Sequence, residues 1–340
     1  MAQPNHDLTA PTAGPATTAW TGTTTGTTTG TATRAAAPAG DVLGAYLRAQ
    51  ATAFLRGLRL HEEGGADAAG GADAARGLRG AARRIGGCLA TFRAVTEASW
   101  ADALRTELAW LSSTLADEHA HAARLARLMD ALHRLSGSPE VPAPRGAAGS
   151  LTVGSARAGA LLERQLTLAR TRAHSATLHA LGSSRFHAVA DAVAVLASEV
   201  PLDPVAARGR VGDVLVPLAA VAETRLTAAV GALTAAPPSH PYDPGHDGPW
   251  DEVRRLLRVH RYAREALGED VARLAAAGEA LDRHRDAAEA AAASATAART
   301  PRIAPATAYA LGVLHADQRH EVEAARRTFR ELWLPAAAVP

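Results

Sequence analysis

The residues best placed to do chemistry in this chain are arginines. In Arg76-Gly-Leu-Arg79-Gly-Ala-Ala-Arg83-Arg84, the first three arginines are spaced by three and then four residues. On a helix of 3.6 residues per turn, that spacing puts Arg76, Arg79 and Arg83 on one face. The rhythm recurs in Arg254-Arg255-Leu-Leu-Arg258-Val-His-Arg261-Tyr262. Arg79 superposes on Arg254, Arg83 on Arg258 and Gly86 on Arg261, at a constant offset of 175 residues (254 − 79 and 258 − 83). Planar guanidinium forks match the oxygens of phosphate and carboxylate groups two at a time. No acid lies between positions 76 and 84, so the first stripe has no neutralising partner within its own turns. The two stripes read as a duplicated unit presenting both rows to one anionic ligand. Two antiparallel helices facing each other would supply both walls of the groove. The candidate site is Arg76, Arg79, Arg83, Arg84, Arg254, Arg255, Arg258, Arg261 and Tyr262.

Other chemistry is limited by what the chain lacks. All 36 basic residues are arginine, a bias that a GC-rich genome also produces, so no lysine nucleophile, Schiff base or phosphate-loop lysine is available. Cys88 is the lone cysteine, which rules out an intramolecular disulfide and a cysteine-rich metal site. His119 and His121 are two apart on an expected helix, and His315 and His320 are five apart. Neither spacing aims two imidazoles at one ion, so no metal is expected. No serine elbow, phosphate loop or dinucleotide glycine motif is present. The expectation is a non-enzymatic protein with no cofactor. The formal charge is only +2, from 36 basic and 34 acidic residues, so any polyanion must be recognised by local arrangement of charge. The acids should then cluster away from the stripes, at Glu62-Glu63, Asp117-Glu118 and along Glu265 to Glu289.

The elements that must position the arginines are helices. Of the 340 residues 47% are apolar, many of them alanine, and only 4% are aromatic, a composition suited to close-packed helices. Residues 1–38 are rich in Thr, Ala, Gly and Pro and are expected to be a disordered tail. Apolar periodicity predicts helices from Asp41 to about 63, over 73–95, 98–115 and 118–136, and after a Pro- and Gly-containing linker near 156–181, 184–198, 204–235, 250–267, 270–297 and 305–333. Nothing alternates like a strand. The organisation read here is all-α, with a tail over 1–38, a first helical half over 39–136, a linker over 137–152 and a second half over 153–334, the halves being pseudo-symmetric and four-helix-bundle-like. No run of 18 or more strongly apolar residues appears, so no membrane partner is expected. The start lacks a basic segment followed by an apolar core, and the expected location is cytoplasmic.

These motifs resemble the CHAD family, the conserved-histidine α-helical domain, over residues 41–334. The family carries two related helices of the form His-x-x-Arg-Val-x-x-Arg-Arg-Leu-Arg and His-x-x-Arg-Ile-x-x-Lys-Arg-Leu-Arg-Tyr-x-x-Glu. Arg79, Arg83 and Arg84 match the first; Arg254, Arg258, Arg261, Tyr262 and Glu265 match the second, with Arg258 at the lysine position. Glu107-Leu-Ala-Trp110-Leu resembles the family's Glu-Leu-x-Trp-Leu helix, and Ser183-Ser-Arg-Phe186 a family loop. Arg76 and Asp251 stand where the signature histidines belong, Gly86 replaces the last arginine of the first motif, and Arg319 follows Gln318 where an aspartate is the pattern. The chain is thus similar to a diverged member.

The resemblance implies non-catalytic binding of inorganic polyphosphate, or another linear polyanion, in an arginine-lined groove between the repeated helices. Association with polyphosphate granules would follow. The alternative reading is a helical protein- or nucleic-acid-interaction module whose anion groove has decayed.

Overall fold

A computed structural model describes residues 34–64, 69–137, 147–235 and 243–333. The tail up to residue 33, much of the expected linker, the Pro-rich stretch 236–242 and the last seven residues lie outside the described residues. The described chain is all-α: α1 (Ala39–Gly64), α2 (Ala69–Thr91), α3 (Ala98–Gly137), α4 (Ala147–Leu181), α5 (Ser184–Ser198), α6 (Val211–Ala235), α7 (Gly248–Ala266), α8 (Ala272–Ala298) and α9 (Pro305–Trp333). Extended pairing among the described residues is confined to two isolated bridges, Pro38 with Arg210 and Thr96 with Leu202.

Two expected helices, 98–115 and 118–136, are one uninterrupted helix of 40 residues. The intervening Ser112-Ser-Thr-Leu-Ala-Asp-Glu118 contains neither glycine nor proline. The hydroxyls of Ser113 and Thr114 bond back to the Trp110 carbonyl at 2.8 and 3.1 Å, so they do not compete for the helical backbone. At 1.5 Å per residue α3 is about 60 Å long and runs through two bundles.

Leu104, Leu108 and Leu111 of α3 join a core built by α1, α2, α5, the start of α6 and the end of α7. Leu128 and Leu132, farther along α3, pack with Leu162 of α4, Ala290 and Ala297 of α8, and Leu311 and Leu314 of α9. A third cluster joins Leu226 and Val230 of α6 to Trp250, Val253 and Leu257 of α7, Leu281 of α8 and Phe329 of α9. The buried Ala277, Ala280, Ala287, Ala290, Ala291 and Ala297 let α8 lie close against its neighbours. α7 ends at Gly268, whose φ of +69° lies in the left-handed region that glycine enters without steric cost. Its amide donates to the Glu265 carbonyl at 2.9 Å.

The reading that no segment is apolar enough to span a membrane also changes. Val211–Leu233 within α6 is long and apolar enough, with a mean hydropathy of 1.4, to cross a membrane by length and composition. Asp213, Glu223 and Arg225 break the run when it is read for strictly consecutive apolar residues. In the fold, one stripe of this helix, Val211, Leu215, Ala219, Leu226 and Val230, is buried against the first and third clusters.

Candidate functional site

α2 exposes its arginines because its other side is committed to the core. Leu78, Ala81, Ala82, Ile85 and Leu89 are buried at helical spacing, which leaves Arg79 and Arg83 on the adjoining strip. α7 does the same with Val253, Leu257 and Ala263 buried and Arg254 and Arg258 beside them. The helices meet with contacts that ascend together: Arg83 lies near Arg258, Gly87 against Tyr262, and the Cys88 thiol 3.5 Å from the Tyr262 carbonyl oxygen. They therefore run in the same direction, and the antiparallel arrangement expected from the repeat is corrected. Several helices separate the two motifs in the chain, so the reversal that a short hairpin would impose is absent. Gly87 makes the approach possible, because a Cβ there would stand 2.6 Å from the Tyr262 ring.

Arg79, Arg83, Arg254 and Arg258 converge on one cavity of about 360 Å³, closed by α3 and α8. Arg254 Nε and Arg258 Nη2 donate to the same oxygen of Asp282, at 2.5 and 2.6 Å. Burial works against ionisation of Asp282, but the guanidiniums of Arg254 and Arg258 hold its pKa below the usual range. Arg79 and Arg83 have no hydrogen bond or ion pair to any described residue. Burial, with Arg79 and Arg258 alongside, pushes the Arg83 guanidinium down to about 10. Arg79 is lowered by burial and then by Arg258 and Arg285. The cavity thus holds like charges that the protein itself does not neutralise.

The remaining candidates are placed differently. Arg84 Nε donates to Glu265 at 2.8 Å, Arg261 Nε lies 3.2 Å from the other oxygen of that carboxylate, and the Tyr46 hydroxyl donates to it at 3.0 Å. Arg84 and Arg261 also flank the buried Tyr262 ring, at 5.6 and 5.2 Å from its centroid. These three residues form a buttress beside the groove. Arg255 is exposed and paired with Glu252, and Arg76 is exposed and paired with Asp73, an acid just outside the stripe.

Sequence reasoning missed Arg124 and Arg127 of α3 and Arg285 of α8, which line the same cavity. The split of α3 into two helices hid the first pair; their three-residue spacing was the available signal. The acids also fall elsewhere than expected: Asp117, Asp282, Asp286 and Glu289 are on the cavity wall. Glu289 holds Arg124 and also Arg285, the latter at 2.7 Å. Burial, then Asp282 and Glu289, raise the pKa of Asp286. In all, seven arginines face four carboxylates. His119 is in the lining, its pKa lowered by burial and then by Arg76 and Arg79. Gln318 reaches the edge of this wall, its side-chain oxygen accepting from Arg127 Nε. Arg319, in contrast, is buried with Arg326 around Asp247, to which it donates at 2.7 and 3.1 Å. Among the described residues, no group of three His, Cys, Asp or Glu side chains is arranged to hold a metal ion.

A second cavity, of about 670 Å³, adjoins the first and shares Arg83 and Arg258 with it. Its walls are mostly small or apolar: Ala82, Gly86 and Ala90 of α2, Leu108 and Ala109 of α3, Val259 of α7.

Compared with known proteins, the CHAD domain profile matches residues 49–295. The structure is similar to PptA from Streptomyces chartreusis, with 59% identity, a TM-score of 0.75, and coverage of 87% of this chain and 99% of that one. It also resembles the crystal structure of the CHAD domain from the plant Ricinus communis, with 20% identity, a TM-score of 0.57, and coverage of 87% and 93%. No curated protein sequence matches the chain.

Proposed function

Because the chain belongs to the CHAD domain family, we propose that it binds inorganic polyphosphate, without catalysing its turnover, in the groove between α2 and α7. One observation carries this reading: Arg79 and Arg83 sit partly buried beside Arg254 and Arg258 with no carboxylate of their own. A protein gains nothing in stability from like charges held together out of water; a polyanion supplies the missing partner. Each charge-assisted contact to a phosphate oxygen contributes about 1.5–3 kcal/mol. Polyphosphate needs a track of guanidiniums and no sequence reading, and α2, α3, α7 and α8 each contribute arginines to the lining. The place of action would be the cytoplasm, at polyphosphate granules.

The test is retention of labelled long-chain polyphosphate, with unlabelled polyphosphate and duplex DNA of equal total charge as competitors. Polyphosphate should displace the label far better than DNA. The double variant Arg83→Ala/Arg258→Ala should lose retention while its helical circular dichroism is unchanged. Equal displacement by DNA would favour a nucleic-acid module, and undiminished retention in the double variant would move the site elsewhere.

A further inference from the structure

We propose that the site is bipartite and takes an organic phosphate, with the phosphates on Arg79, Arg83 and Arg258 and an aromatic or heterocyclic group in the 670 Å³ chamber alongside. The proposal rests on the reading of the arginine groove as a phosphate site and concerns what is attached to the phosphates. The chamber sets four arginines, Arg83, Arg105, Arg255 and Arg258, around a floor that carries no polar side chain. Its floor is Ala82, Gly86 and Ala90 facing Leu108 and Ala109. A phosphate against that wall would lose water and gain no donor. The volume, in contrast, lies in the range of about 300–1,000 Å³ typical of small-molecule sites, as does the mixture of an apolar body with a few polar groups at one end.

Three observations fix the ligand class. Arg83 and Arg258 line both compartments, so a group in the chamber and a phosphate in the groove are adjacent. The one acid of the chamber lining, Asp102, is already held by Arg93 at 2.7 Å and Arg105 at 3.0 Å, so it does not repel an anionic ligand. Arg105 and Arg255 also line the chamber, and guanidinium planes stack on aromatic faces. The internal repeat supports the same division. Gly86 occupies the position that Arg261 holds in the second stripe, and a Cβ at Gly86 would meet nothing within 4 Å. Where the duplication would place a cation, this chain opens a space.

Isothermal titration of the full chain in metal-free, phosphate-free buffer tests this with ATP and inorganic tripolyphosphate. Both carry three phosphates, and tripolyphosphate has the greater negative charge, so electrostatics alone ranks it first. The bipartite site predicts the reverse, with ATP at least tenfold tighter. Gly86→Leu fills the chamber from a helical position with free space around it. It should bring ATP to within about twofold of tripolyphosphate, leave tripolyphosphate affinity unchanged and give a thermal midpoint no lower than the wild type's, since leucine replaces glycine within a helix. ATP binding no tighter than tripolyphosphate in the wild type, or equal weakening of both ligands by Gly86→Leu, overturns the proposal even if long-chain polyphosphate is retained. Tight, Gly86→Leu-sensitive ATP binding without polyphosphate retention would uphold the chamber and overturn polyphosphate as the ligand. A wild type that binds neither ATP nor tripolyphosphate overturns the proposal, and one that also fails to retain long-chain polyphosphate overturns both readings.

Discussion

Replacing Arg83 with methionine should make the free protein more stable and the ligand-bound protein less so. Methionine keeps an unbranched, helix-forming side chain and removes the charge. In the fold the Arg83 guanidinium is pushed well below its ordinary range, down to about 10, by burial first and by Arg79 and Arg258 next. At about 1.4 kcal/mol per tenfold change in proton affinity, the protonated group is opposed by about 3 kcal/mol. Water at its exposed end screens part of this, leaving about 1–2 kcal/mol. The sign follows from linkage: a base whose pKa is lower in the folded state carries its full penalty below that pKa, hence at pH 7, and loses it only as pH rises above about 10. For a chain of this size the relief corresponds to a rise in Tm of about 2–4 °C in phosphate-free buffer. Calorimetry with and without tripolyphosphate reads both halves of the expectation. Tripolyphosphate should raise the wild-type Tm by more than that of Arg83→Met. A lower Tm for the variant without ligand, or equal stabilisation of both proteins by tripolyphosphate, would refute the view that the cluster stores unneutralised charge.

Further outcomes follow from the neighbouring groups. Asp282→Asn releases Arg254 and Arg258 from their shared carboxylate oxygen and should tighten tripolyphosphate binding about tenfold, near 1.4 kcal/mol, in titration calorimetry; unchanged affinity would mean that Asp282 does not compete with ligand. Asp247→Asn leaves Arg319 and Arg326, both almost fully buried, without their common anion and should cost about 3–5 kcal/mol in urea unfolding. A loss under about 1 kcal/mol would contradict that. His284 is buried against Trp250, and its pKa is held down to about 4 by burial and then by Arg326. Between its ordinary pH 6.5 and about 4, a proton binds the unfolded chain but not the folded one, so stability should fall on acidification, by up to about 3 kcal/mol. His284→Gln should flatten this slope relative to the wild type in denaturant titrations at successive pH values.

Much of this protein is local in origin. The helices follow from apolar residues at helical spacing, and α5 and α9 begin and end where glycine, serine and proline interrupt that spacing. The two arginine rows and their 175-residue offset are likewise visible in the chain, because a stripe on one helix depends only on positions three and four apart. α3 shows the limit of this reasoning, since a gap in apolar periodicity ends a helix only if something there breaks it. Which guanidiniums stay free is a different matter. Arg84 is taken by Glu265, 181 residues away, and Arg254 by Asp282, 28 residues on. Arg79 and Arg83 differ from them in no local feature. Arg124, Arg127 and Arg285 enter the groove only because α3 is continuous and α8 packs beside α7. Sequence therefore determines the helices and the face on which each charge lies. Only the packing of those faces decides which charge meets a carboxylate and which is left for a ligand, because ion pairing acts over a few ångströms in space whatever the separation along the chain.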